Sequence, residues 1–120
     1  MESVSIVPAS LAERIPLPDE ALTARMLAKA REGFDRKIVV LDDDPTGVQT
    51  VHDLSVYTDW RCETLESGLA EEGTMFFVLT NSRGFSQQET EHAHREIAEN
   101  LLAASEKTGV PFLLVSRGDS

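Results

Sequence analysis

The sequence predicts an α/β fold: a mostly parallel, Rossmann-like sheet with flanking helices. Three observations carry that expectation. Short apolar runs recur at Lys37-Ile38-Val39-Val40-Leu41, Met75-Phe76-Phe77-Val78-Leu79 and Phe112-Leu113-Leu114-Val115, and apolarity that does not alternate marks strands buried on both faces. Amphipathic segments separate these runs, as crossover connections between parallel strands require. Each run gives way at its carboxyl end to polar, glycine-containing sequence, the edge at which open α/β sheets bind ligands.

Taken in order, residues 1–17 hold Pro8 and Pro16 without a sustained period and read as an extension. Residues 18–31 predict a helix: proline and acids open it, Leu22, Met26, Leu27 and Ala30 recur at helical spacing, and Gly33 stops it. The strand beginning at Lys37 follows and ends abruptly in Asp42-Asp43-Asp44-Pro45-Thr46-Gly47. Leu54-Ser55-Val56-Tyr57-Thr58 alternates as a second strand, and residues 60–70 predict a short helix closed by Gly73. After the third strand, Ser86 caps a long helix, with Glu89 placed for a capping box and Ala93, Ile97, Leu101 and Ala104 as its apolar stripe. Gly109 ends that helix before the fourth strand.

The 120 residues suffice for one ordinary domain. The expected division is 1–36, an N-terminal extension plus helix, and 37–120, the first part of an α/β domain. No closing helix follows the fourth strand, so the sheet is expected to be incomplete at its C-terminus and the chain to be the amino-terminal piece of a longer protein.

The net charge of -10 disfavours nucleic acid and anionic membrane surfaces as partners, because both are recognised through clustered Lys and Arg. Cys62 is the single cysteine and has no internal disulfide partner. There is no basic start with a following apolar stretch, and the run from Val110 to Val115 is interrupted by Pro111. A reducing, cytoplasmic setting is expected.

Polar clusters stand after three of the strands: DDDPTG, TNSRG and SRGDS. The first is also ordinary turn chemistry, in which Asp accepts backbone N–H groups and Gly supplies positive φ. In an extended chain, however, Asp42 and Asp44 face one way and Asp43 the other. Adjacent carboxylates repel, which raises at least one pKa unless a cation or a substrate hydroxyl is shared. Such a cluster suits a general base or a grip on sugar hydroxyls. Arg83 offers a fork for a carboxylate or phosphate. Arg117-Gly118-Asp119 matches an adhesion tripeptide, a three-residue coincidence without a secretion signal. His92 and His94 lie two apart on a helix and so on different faces, which argues against a metal site from that pair. His52 follows the aspartates in the same loop and is a further, weaker candidate.

Together, IVVLDDDPTG, FFVLTNSRG and LLVSRGDS resemble the amino-terminal, sugar-binding domain of the four-carbon acid sugar kinases over residues 37–120. Members carry Asp-Asp-x-Thr-Gly after the first strand, an Asn-x-Arg-type loop after a later one, and a Lys-x-Asp-Ser-Thr-Leu-Arg-Gly segment. Asp43, Asp44, Thr46 and Gly47 fall on the first motif, Asn81 and Arg83 on the second, and Asp119 and Ser120 on the start of the third. Two positions depart from the pattern. Thr50 stands where many members have an aspartate, with Asp53 as a substitute carboxylate nearby, and Arg117 replaces the lysine.

The resemblance implies ATP-dependent phosphorylation of a terminal hydroxyl of a four-carbon sugar acid: threonate, erythronate or 3-oxo-tetronate. Asp44 would orient and deprotonate that hydroxyl. Asp43, Thr46, Asn81, Asp119 and Ser120 would bind substrate, with Arg83 or Arg117 on its carboxylate. ATP and Mg²⁺ would be bound mainly by a separate C-terminal domain, absent from this chain, so the fragment alone is expected to be inactive. A homo-oligomer is left open.

A haloacid-dehalogenase-type, Mg²⁺-dependent phosphohydrolase is the alternative, with Asp42 as nucleophile, Asp44 as acid/base and Thr80-Asn81 as its hydroxyl-bearing motif. A receiver-like signalling domain ranks last. It needs an aspartate where Thr80-Asn81 stands.

Overall fold

The computed structural model describes residues 6–118, so Asp119 and Ser120 lie outside the described residues. The chain divides into two compact units, Met1–Phe34 and Asp35–Ser120. In the first, a 3-10 turn over Ala9–Arg14 precedes helix α1, Glu20–Arg31. The Asp19 carboxylate caps α1 by accepting the Leu22 N–H at 2.9 Å. The expected stripe of Leu22, Met26 and Leu27 is exposed.

In the second unit, β1 (Lys37–Asp42), β2 (Val56–Tyr57), β3 (Met75–Leu79) and β4 (Phe112–Arg117) form one sheet in the order β2-β3-β1-β4. Every pairing is parallel. The α/β fold expected from the sequence is therefore the fold observed. Helix α2 (Cys62–Ala70) links β2 to β3, and α3 (Gln87–Thr108) links β3 to β4. Both steps move across the sheet in the same direction, so right-handed crossovers put both helices on one face. Val39, Leu41, Phe76 and Val78 of that face meet Leu65 and Leu69 of α2 and Ile97, Leu101 and Ala104 of α3 in a single core.

Two local devices close this layer. Gly68 of α2 lies directly over Phe76, whose ring would be 2.7 Å from any Cβ placed there; the missing side chain lets helix and sheet approach. Lys37, only 5% exposed at the start of β1, donates to the carbonyls of Glu71 (2.6 Å) and Gly73 (2.9 Å) just past α2. A buried ammonium is tolerable there because two backbone carbonyls beyond the helix accept its N–H groups.

The second strand is shorter than expected, Val56–Tyr57 instead of residues 54–58, because at the sheet edge it pairs only with Phe77 and Val78. Helix α2 begins at Cys62, two residues later than the expected start at Trp60. Asp59 causes the delay: its carboxylate accepts from Arg61 N–H (3.1 Å) and the Thr64 hydroxyl (2.5 Å), holding the entry extended. For α3 the expected capping box forms, Glu89 N–H donating to Ser86 Oγ and Ser86 N–H to Glu89 Oε2. At the other edge, β4 pairs only with β1 and exposes Leu113, Leu114 and Val115.

Candidate functional site

Parallel strands bring their carboxyl ends to one edge, and the register places Asp42, Leu79 and Arg117 side by side there. The loops after β1 and β3 are then tied together. Thr80 donates to the Asp42 carbonyl through both its N–H (2.8 Å) and its hydroxyl (3.1 Å). Arg83 N–H donates to the Asp43 carbonyl at 3.2 Å.

Strand β1 ends at Asp42, and the three carboxylates diverge at once. Asp42 is 2% exposed, and its Oδ2 is buried without a hydrogen-bond partner. That oxygen lies against Gly47, where a Cβ would stand 1.9 Å from it. Its Oδ1 accepts the Asp44 N–H at 3.4 Å. Asp43 and Asp44 both turn to Arg83: Asp44 Oδ2 lies 2.8 Å from Nη1 and Asp43 Oδ1 3.5 Å from Nη2. The strand-like alternation expected for the triad fails because the chain leaves the extended conformation after Asp42.

Asp44 closes an Asx turn over Pro45, its Oδ1 accepting both the N–H (2.7 Å) and the hydroxyl of Thr46. These bonds, the hydroxyl first, and the Arg83 charge hold the Asp44 carboxyl below its ordinary range. Self-repulsion therefore does not raise Asp44, because a shared cation and local donors outweigh it. A lowered folded-state pKa stabilises the fold above the unfolded value near 3.8, and that contribution fades as pH falls through the lower folded value. In Thr46→Val the strongest donor is lost. The Asp44 carboxyl should then titrate closer to 3.8 in carbon-detected NMR; an unchanged titration would contradict the Thr46 attribution.

Arg117 fastens the other end of the same loop. Its Nη1 donates to the Gly47 carbonyl (2.8 Å) and the Thr50 hydroxyl (3.2 Å), and Thr50 itself donates to Gly47 O (3.0 Å). Thr50 and Arg117, which both depart from the resembled pattern, thus touch each other.

Two adjoining hollows open on this edge. One, about 130 Å³, is lined by Asp42, Asp43, Thr46, Gly47, Arg83, Arg117 and Gly118. The other, about 400 Å³, is lined by Leu41, Asp43, Thr80, Ser82, Arg83, Phe85, Thr90, His94, Ser116 and Gly118. Asp43 and Arg83 serve both, while Asp44 reaches them through its ion pair with Arg83. A larger open depression of about 930 Å³ is lined by residues 50–55, which continue the loop after β1, and by residues 71–75.

Of the residues singled out from sequence, Asp43, Asp44, Thr46, Arg83 and Arg117 come together here. Asn81 lines neither hollow; it adopts the left-handed conformation (φ 52°) that turns the chain from β3 into Ser82–Gly84. His52 pairs with Asp53 at 2.6 Å on an exposed stretch beside the large depression. Thr80, Ser82, Phe85, Thr90, His94 and Ser116 were not anticipated as part of a sugar site. The i,i+4 spacing of Thr90 and His94 in the first turns of α3 was the available signal.

Among the described residues no group of three or more His, Cys, Asp and Glu side chains could hold a metal ion, and no helix is long and apolar enough to cross a membrane. No observation favours the phosphohydrolase: the nucleophile it requires, Asp42, is buried beneath Gly47. Residues 38–120 match the family model described as a sugar-binding N-terminal domain. No curated protein and no solved structure gives a significant match.

Proposed function

Because the chain belongs to the sugar-binding N-terminal domain family, that of the amino-terminal domain of the four-carbon acid sugar kinases, we propose that it holds a four-carbon sugar acid for phosphorylation by ATP at a terminal hydroxyl. Threonate, erythronate and 3-oxo-tetronate are the candidate substrates. One observation carries this reading: two carboxylates, an arginine and the Thr80 and Ser82 hydroxyls converge on adjoining hollows at the carboxyl edge of the sheet. A polyhydroxy compound needs acceptors for its O–H groups and donors for its oxygens, and this edge has both.

In this reading Asp43 accepts from sugar hydroxyls inside the hollows. Asp44, kept ionised by Thr46 and Arg83, orients the attacking hydroxyl and takes its proton. Arg83 prevents the two carboxylates from repelling each other. Arg117 holds the Asp44–Thr50 loop, and Asp119 and Ser120, outside the described residues, are assigned to substrate by the motif alone. Mg²⁺ is usually held by one or two carboxylates together with water and substrate phosphates. ATP and Mg²⁺ are assigned to a C-terminal nucleotide-binding domain, and a cytoplasmic location accords with that chemistry.

NMR titration of the 120-residue chain tests the reading. Threonate or erythronate should shift resonances of residues 42–50 and 80–83 saturably, with no ATP turnover by the chain alone. Failure of all three acids to shift that edge would refute it.

A further inference from the structure

We propose that Thr90 and His94 of α3 bind the carboxylate of the sugar acid, so that the acid lies across the larger hollow with its hydroxyl end toward Asp43 and Asp44. The inference rests on the tetronate reading and departs from the expectation that Arg83 or Arg117 holds the carboxylate.

Charge is the first reason. Arg83 lies 2.8 Å from Asp44 and 3.5 Å from Asp43, so one cation faces two anions. A substrate carboxylate at Arg83 competes with Asp43 and Asp44 for the guanidinium, whereas neutral hydroxyls meet good acceptors. Arg117 uses Nη1 for Gly47 O and the Thr50 hydroxyl, and it lines the smaller hollow, not the one lined by His94.

Position is the second. Among the residues lining the hollow of about 400 Å³, the side chains besides Arg83 that present a nitrogen donor reduce to His94 alone. Thr90 lies one turn before it on the same helix and lines the same hollow. Together they offer an imidazole N–H and a hydroxyl to the two oxygens of one carboxylate. The same hollow is lined by Asp43, so one small molecule within it is in reach of a carboxylate for its hydroxyls as well as of these two donors. His94 thereby separates sugar acids from neutral sugars of equal length, because the neutral hydroxyl oxygens of a polyol accept from these donors more weakly than a carboxylate does.

The test compares erythronate with erythritol, its uncharged counterpart, by NMR titration of the 120-residue chain. His94→Phe, at an exposed helix position, keeps bulk and removes the donor. It should weaken erythronate by about ten-fold or more, the effect of a lost hydrogen bond to a charged group, and leave erythritol unchanged. His94→Gln, which retains an N–H donor, should stay within about three-fold of wild type. Thr90→Val should show the same selective loss, and replaces His94→Phe if the latter does not keep the wild-type melting transition. Equal losses for acid and polyol, or none, overturn the assignment and leave the sugar-acid reading standing. A wild-type chain that binds no sugar acid brings down both.

Discussion

Gly47→Ala is expected to abolish sugar-acid binding and to lower stability by about 1–3 kcal/mol, the range for forcing atoms into a filled space. Gly47 is needed for the space its Cα leaves. A Cβ would stand 1.9 Å from Asp42 Oδ2 and 2.6 Å from its Cγ, and Asp42 cannot retreat because it is buried at the end of the central strand. The loop must move instead. Its motion pulls Gly47 O from Arg117 and disturbs the Asx turn that aims Asp44. Urea unfolding and a tetronate titration read the two effects separately.

Gly68→Ala provides the contrast. Its Cβ would meet the Phe76 ring at 2.7 Å, in the core between α2 and the sheet. A comparable loss of stability is expected, with affinity per folded molecule unchanged. If G47A kept wild-type affinity, the packing of Asp42 under Gly47 would not be what shapes the loop.

These two glycines show what the sequence could and could not say. Helix α3 was legible almost to the residue, because Ser86, Glu89, Ala93, Ile97, Leu101 and Gly109 each act through neighbours three or four positions away. Strands β1, β3 and β4 were legible because runs apolar on both faces have few alternative uses. The short β2 and the late start of α2 were not. One depends on which strand stands beside the edge, the other on an Asp59 side chain that prefers an extended entry to the first helical turn.

At the site, local chemistry was again the readable part. DDDPTG announces a turn, and TNSRG a second polar loop after another strand. That both meet follows from parallel pairing, which the apolar runs implied. The different fates of Asp42, Asp43 and Asp44 were not readable, since extended alternation holds only while the strand lasts. Nor was His94 readable as a lining residue: its place depends on how α3 rotates when Ala93 and Ile97 turn to the core.

Asp44→Asn is expected to cut phosphoryl transfer by about 10²–10⁴-fold, the range for removing a positioned proton acceptor, when ATP and the nucleotide-binding domain required by the reading are supplied. Affinity for the sugar acid should change little. Asparagine keeps the shape of the Asx turn, since its carbonyl oxygen can still accept from Thr46. It also removes one of the two negative charges facing Arg83, which relieves repulsion of an anionic substrate and offsets a lost hydroxyl contact. Asp43→Asn should behave in the opposite way, because Asp43 lines both hollows and its carboxylate is the more direct acceptor for sugar hydroxyls. There the loss should fall mainly on affinity, with turnover at saturating sugar acid largely retained. The pair of measurements separates base from grip: turnover lost in D43N and kept in D44N would move the proton acceptor one residue earlier in the chain. Equal, modest losses in both would leave no single acceptor and place the rate enhancement in positioning alone.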